Sequence, residues 1–216
     1  MSLKAAFASA LLASTLTILF SGSSQSATVV NGSFEDNNFG GADFITLNTG
    51  DSTSLAGWTV SQGSVDLIST YWAPQDGDFS IDMNGNEPGI LTGSIVDLVV
   101  GKVYQLSFWM AGNTDDPNPI NAIKLLGVFV ANYNLLYSFD TTGKTHENPG
   151  WIEIKHRFVA ENTIEALNFT FGPNAIGPYG PAIDNVSVAA VPLPAAAPLL
   201  LAALGGLGLM RRRRRT

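Results

Sequence analysis

Between Thr28 and Ala190 the chain runs as short stretches of β-branched and aromatic residues separated by Gly, Asn, Asp and Pro clusters. That is the pattern of a sandwich or barrel of short strands. The spacing predicts strands over 64–69, 79–83, 103–110, 123–130, 151–159, 164–171 and 182–188. The alternation is clearest in 151–159, with Ile152, Ile154, His156 and Phe158 on one face and Glu153, Lys155 and Arg157 on the other. A packed face opposite a solvated one suits an antiparallel sheet. Turn signals stand at Asn84-Gly85-Asn86, Thr142-Gly143-Lys144 and Gly172-Pro173-Asn174,. No part of the body sustains a 3.6-residue period, so little helix is expected and the fold class is all-β.

The two ends break this pattern. Residues 1–27 read as a secretory signal: Lys4 opens it, Ala5 to Phe20 are mostly apolar, and Ser21 to Ala27 are small exit residues,. A retained N-terminal membrane helix is the weaker alternative, because no stop-transfer pattern follows. Residues 191–216 hold Val191-Pro192-Leu193-Pro194, an apolar run from Ala195 to Met210, and Arg211, Arg212, Arg213 and two further arginines. As a helix the run would measure about 24 Å, slightly short of a roughly 30 Å hydrocarbon core unless preceding residues extend it. The arginines would hold its end in the cytoplasm. The expected organisation is a signal helix, one body domain over 28–190, and a C-terminal transmembrane helix.

Composition narrows the chemistry. The 216 residues include no Cys, which excludes disulfides, thiolate metal sites and Cys nucleophiles,. All 18 acids but only five of the 11 basic residues lie in the body, a net charge there of about −13. Such a surface repels phosphate backbones, so nucleic acid is not an expected partner.

The tail resembles the PEP-CTERM sorting signal of Gram-negative bacteria in its order of proline motif, transmembrane stretch and Arg cluster. Leu193 stands where the name-giving form has Glu. The resemblance implies transient anchoring in the inner membrane, processing by an exosortase-type protease, and a final place at the cell surface or outside it.

A second resemblance covers Val29 to Ala189. It rests on the order Asn31-Gly32-Ser33-Phe34-Glu35, Gly57-Trp58, Gly85-Asn86-Glu87, Leu106-Ser107-Phe108 with Ala111-Gly112-Asn113, Gly150-Trp151 and Ile183-Asp184-Asn185-Val186. This order is similar to the choice-of-anchor C family, to related plant cell-wall domains of unknown function, and more distantly to carbohydrate-binding modules of the galactose-binding-like jelly-roll fold. It implies a jelly-roll β-sandwich. It also implies a structural calcium ion (Ca2+) held by Glu35 and Asp184, which only a meeting of the first and last strands could bring together. The bland alternative is a solvated Glu35 and an Asp184 bonding its own turn. Asp82-x-Asn84-x-Asn86 begins like an EF-hand loop, but Glu87 and Gly93 occupy the positions that require Gly and Glu, so the motif fails,.

Sugars bind by laying apolar ring faces on aromatic side chains. Trp58, Phe79, Phe108, Phe158, Phe169 and Phe171 sit in apolar register and are assigned to the core. Tyr71 and Trp72 precede a loop, and Trp109 shares its strand face with Gln105 and Ser107. Tyr71, Trp72 and Trp109, with Gln75 and Asp82 nearby, are therefore the expected glycan-contact surface, the alternative for Trp109 being a covering loop. His156 on its apolar face is expected to be a satisfied core histidine, and His146 falls in a loop. No Gly-x-Ser-x-Gly, His-Glu-x-x-His or phosphate-binding loop occurs, so no catalytic residues are assigned,. The expectation is a non-catalytic module whose partner is extracellular polysaccharide, with a purely structural, calcium-braced surface protein as the rival. A polysaccharide-acting enzyme is a third reading, which a cleft with two facing carboxylates would favour.

Overall fold

The computed structural model describes residues 26–173 and 175–192. Residues 1–25 of the signal segment, Leu193, Pro194, the apolar run and Arg211 to Arg215 lie outside the described residues; among the described residues no helix is long and apolar enough to cross a membrane. In chain order the strands are β1 (Thr28–Val29), β2 (Phe44–Asn48), β3 (Thr59–Gln62), β4 (Ser64–Ile68), β5 (Ser80–Asp82), β6 (Ile90–Val96), β7 (Val103–Gly112), β8 (Ile123–Val130), β9 (Tyr133–Asp140), β10 (Ile152–Val159), β11 (Glu165–Phe171) and β12 (Pro181–Ala190). The only helical element among the described residues is a single 3-10 turn at Pro119–Asn121.

The strands form two antiparallel sheets. One has the order β1-β6-β11-β8-β9, with β3 also on β6, and the other β10-β7-β12-β5-β4-β2. The chain crosses repeatedly between the sheets, the winding of a jelly-roll sandwich. Inward-facing residues alternate as the pattern requires: Tyr104, Leu106, Phe108 and Met110 of β7 are buried, while Gln105, Ser107 and Trp109 are half-buried on the outer face,.

The residues of the second resemblance close the barrel of contacts between chain ends. Asn31 donates its Nδ2 to the carbonyls of Asp36 and Ala56, and the Trp58 indole N–H donates to Asn31 O at 3.0 Å. Val186 N–H donates to Gly32 O at 2.7 Å. A Cβ at Gly32 would fall 1.9 Å from the Val186 carbonyl oxygen, so only glycine lets the last strand approach,. Phe34, with φ of 65° and no exposed surface, packs 5.3 Å from the Trp58 ring. Trp58 and Phe169, then Phe169 and Phe108, continue this contact from one sheet to the other.

Several expectations change. Phe79 and Phe171 are half-buried rather than core. Ile152 is exposed, because β10 is an edge strand paired only with β7. His156 is half-buried beside Tyr133, and its Nε2 is buried without a partner, so it is not a satisfied histidine. Burial holds it below the usual histidine range,.

Candidate functional site

The loops leaving β4, β7, β9 and β11 gather at one end of the sandwich. The β4–β5 loop, Ser69–Phe79, is the largest contributor and is pinned from two sides. Asp184 Oδ2 accepts N–H from Gln75 and Asp76 at 2.8 and 3.0 Å, and its Oδ1 accepts from Asn185 at 2.6 Å. Glu35 Oε1 accepts from Asp78 and Phe79, both at 3.0 Å. Gly77, at φ +59°, sits against that carboxylate, and a Cβ there would fall 2.3 Å from Oε1. The Trp151 indole N–H adds a bond to Ala73 O at 3.0 Å.

The two expected calcium ligands thus do meet, on one loop, but through its amides. Three of their four carboxylate oxygens accept N–H groups. No group of three or more His, Asp or Glu side chains able to hold a metal occurs among the described residues. The two carboxylates clamp the loop.

Pinned this way, the loop walls an open cleft of about 700 Å³. Tyr71, Trp72, Ala73, Pro74 and Phe79 line it from the loop, and His146 and Glu147 from the β9–β10 loop. Tyr71 and His146 rings lie 4.7 Å apart, Tyr71 and Phe44 5.2 Å, and Phe39 and Phe79 5.1 Å. Asp115, from the β7–β8 loop, accepts the Tyr71 hydroxyl on one oxygen and meets His146 Nε2 at 2.9 Å on the other. The bond to Asp115, with burial second, pushes the Tyr71 hydroxyl up to about 12. One carboxylate therefore fixes two rings of the cleft.

The five expected glycan-contact residues separate. Tyr71 lines the cleft, half-exposed. Trp72 lines it too, but is 5% exposed and belongs to the core, donating its indole N–H to buried Ser80 Oγ at 2.9 Å. It is a wall packed from behind, not an exposed platform. Gln75 turns to Asn185, accepting Nδ2 on Oε1 at 3.0 Å. Asp82 is fully buried, accepting N–H from Asn84 and Gly180 and the Asn113 amide. Burial pushes its carboxyl up to about 8,. Trp109 stands on the outer face of β7 between Glu153 of β10 and Asp184 of β12, and is not part of the cleft lining. Phe79, His146 and Asp115 complete the site instead. They come from three loops whose convergence no local pattern announces, although His146 was already the one loop imidazole.

The chain is 38% identical over 175 residues to Halomucin of Haloquadratum walsbyi, covering 79% of this chain but 2% of that protein. It therefore spans only a small fraction of this curated relative. Among solved structures it is similar to a family 35 carbohydrate-binding module from Clostridium thermocellum, at 18% identity and TM-score 0.43, covering 68% of this chain and 91% of that one. It is also similar to the module TmCBM61 solved with β-1,4-galactotriose, at 17% identity and TM-score 0.45, covering 75% and 97%. Residues 27–189, nearly the whole described domain, match the family described as "Protein of unknown function (DUF642)", and the chain belongs to that family.

Proposed function

We propose that the domain is a non-catalytic module that holds a neutral extracellular polysaccharide in the aromatic cleft. The observation that carries this is the cleft itself: an open groove whose aromatic lining is held in place from behind before any ligand arrives. Sugar rings present apolar C–H faces that stack on such rings, while their hydroxyls need polar groups at the rim. Asp78 and Glu147, both exposed at the cleft, are acceptors for those hydroxyls. Rings fixed beforehand lose little conformational freedom on binding. The acid excess of the body disfavours anionic glycans,. Asp115 spends both oxygens orienting Tyr71 and His146, which makes it a support for a binding surface.

The direction of the chain agrees with a tethered binder. β12 begins beside Gly112 at the cleft end and finishes beside Tyr104 at the other, where Val191 N–H bonds Val103 O at 2.9 Å. β1 pairs with the end of β6, Ile95 and Val96, on the same far side. In this reading residues 1–27 export the protein, and 191–216 hold it in the inner membrane until an exosortase-type protease processes it for the cell surface or beyond. The cleft then faces away from the attachment.

Affinity electrophoresis through neutral polysaccharides tests the reading. Wild-type protein is expected to be retarded in at least one gel, and Tyr71→Ala to migrate freely. Equal mobility of wild type in every polysaccharide and in the blank gel would favour a purely structural surface protein. Intact mass of the exported protein tests the processing, which predicts loss of the leader and of the arginines.

A further inference from the structure

The β7–β8 loop and the β11–β12 segment enclose a second cavity of about 180 Å³ at the same end of the sandwich. It shares no lining residue with the aromatic cleft. Two buried polar side chains line it. Asn84, 2% exposed, donates its Nδ2 to Gly177 O at 2.9 Å, while its Oδ1 has no hydrogen-bond partner in the protein. Lys124, 4% exposed, has its ammonium 3.6 Å from an Asp116 oxygen, beyond ordinary hydrogen-bond length,. A buried acceptor without a donor costs free energy, so a native structure that keeps one calls for an occupant.

The rim differs in kind. Ile120 and Ile176 are 81% and 72% exposed, the most exposed of the large hydrophobic side chains among the described residues, and both line this cavity. The occupant must therefore donate to Asn84 Oδ1, accept from Lys124 Nζ, and offer carbon surface to two isoleucines. A cation would be repelled by the ammonium, and an anion would face Asp116 and leave the amide oxygen unmet. A neutral polyhydroxylated ring supplies both hydroxyl roles and an apolar face. The space holds about six waters at ~30 Å³ each, on the scale of one such ring.

We propose that this cavity binds a single neutral sugar residue. One hydroxyl donates to Asn84 Oδ1, another accepts from Lys124 Nζ, and Ile120 and Ile176 close over the carbon face. The choice of ligand class rests on the reading of the domain as sugar-binding; the site is separate from the cleft.

Titrating the isotope-labelled protein with a panel of neutral monosaccharides, observed by NMR, tests it. At least one sugar is expected to move the Asn84 side-chain amide signals saturably. Its affinity is expected to fall at least tenfold in Lys124→Met and in the Ile120→Ser/Ile176→Ser double variant, whose exposed positions leave the fold intact. Tyr71→Ala is expected to bind it unchanged. If no sugar moves the Asn84 signals, so that the cavity holds water alone, or if both variants bind as wild type, the proposal is overturned. Tyr71-dependent retardation by polysaccharide would survive that failure, and its own loss would leave the Asn84 shifts in place, so the two readings fail separately.

Discussion

Asp115 and Asp116 are consecutive in the chain, and their carboxylates serve different cavities. Asp115 holds the rings of Tyr71 and His146 in the aromatic cleft. Asp116 is the ion partner of Lys124 in the polar cavity. The β7–β8 loop is therefore a shared wall. Its position is set from below by Asn113, which accepts the Asp115 N–H at 2.9 Å and donates its amide to buried Asp82 at the same distance.

Removing the shared carboxylate of the cleft should weaken binding without unfolding the domain. Asp115→Ala frees both rings, and the loss of two hydrogen bonds to a charged group that is a third exposed costs binding about 1–2 kcal/mol, or roughly five- to thirtyfold in affinity,. Asp115→Asn should lie between, since it keeps one acceptor. Polysaccharide affinity measured beside Tm checks this, and unchanged affinity in Asp115→Ala would mean the rings need no support.

Trp72 and Tyr71 are neighbours with opposite expected phenotypes. Trp72→Ala opens a cavity in the core and leaves Ser80 short of a donor, a loss of about 3–5 kcal/mol of stability,. Tyr71→Ala should cost stability far less and abolish retardation by polysaccharide. Urea unfolding of the two variants separates wall from contact.

The loop clamp predicts a graded series. Glu35→Ala removes the acceptor for two amides and should cost about 1–3 kcal/mol, with Glu35→Gln milder because it keeps an oxygen,. Gly77→Ala should act like Glu35→Ala, since its methyl displaces the same carboxylate. Amide exchange at Asp78 and Phe79 should quicken in all three. Because both clamp carboxylates face N–H groups, a chelator is expected to leave Tm unchanged, and a chelator-induced fall in Tm would favour calcium at this site.

Stability should decline as pH rises from about 4 towards 8. Burial raises the carboxyls of Asp66 to about 6, Asp184 to about 7 and Asp82 to about 8 from an ordinary 3.8. A raised carboxyl favours the protonated form in the folded state, so its contribution is complete below the unfolded value and is lost as pH climbs through the folded one. The groups around Asp82 pull both ways, Asp66 raising it and the Asn84, Gly180 and Asn113 donors lowering it. Tm measured across this range checks the slope, which Asp82→Asn should flatten above pH 6 whatever it does to overall stability.

Much of the sandwich was legible because strand periodicity is local. The expected strands at 64–69, 103–110, 123–130, 151–159, 164–171 and 182–188 all correspond to observed ones within a residue or two. β6 carries no clear strand signal because Thr92-Gly93-Ser94 interrupts its apolar run, nor does β9, where exposed Leu136 blurs the alternation. β2 and β3 are short pieces of five and four residues between turns, ordered by their partners rather than by a long pattern of their own.

What the sequence alone determined was the class of fold, the absence of thiols and the acid body, while the meeting of the first motif with the last was an expectation carried by the family resemblance. Each of these is a matter of residue type or of an order repeated along the whole chain. The tertiary structure decided the use of individual side chains. Glu35 and Asp184 became amide acceptors, Asp82 was buried, and Trp72 was packed from behind. Tyr71 and His146 were brought to Asp115 from 44 and 31 positions away in the chain. Burial and partner choice depend on which segments converge, and convergence is a property of the closed sandwich that no window of sequence contains.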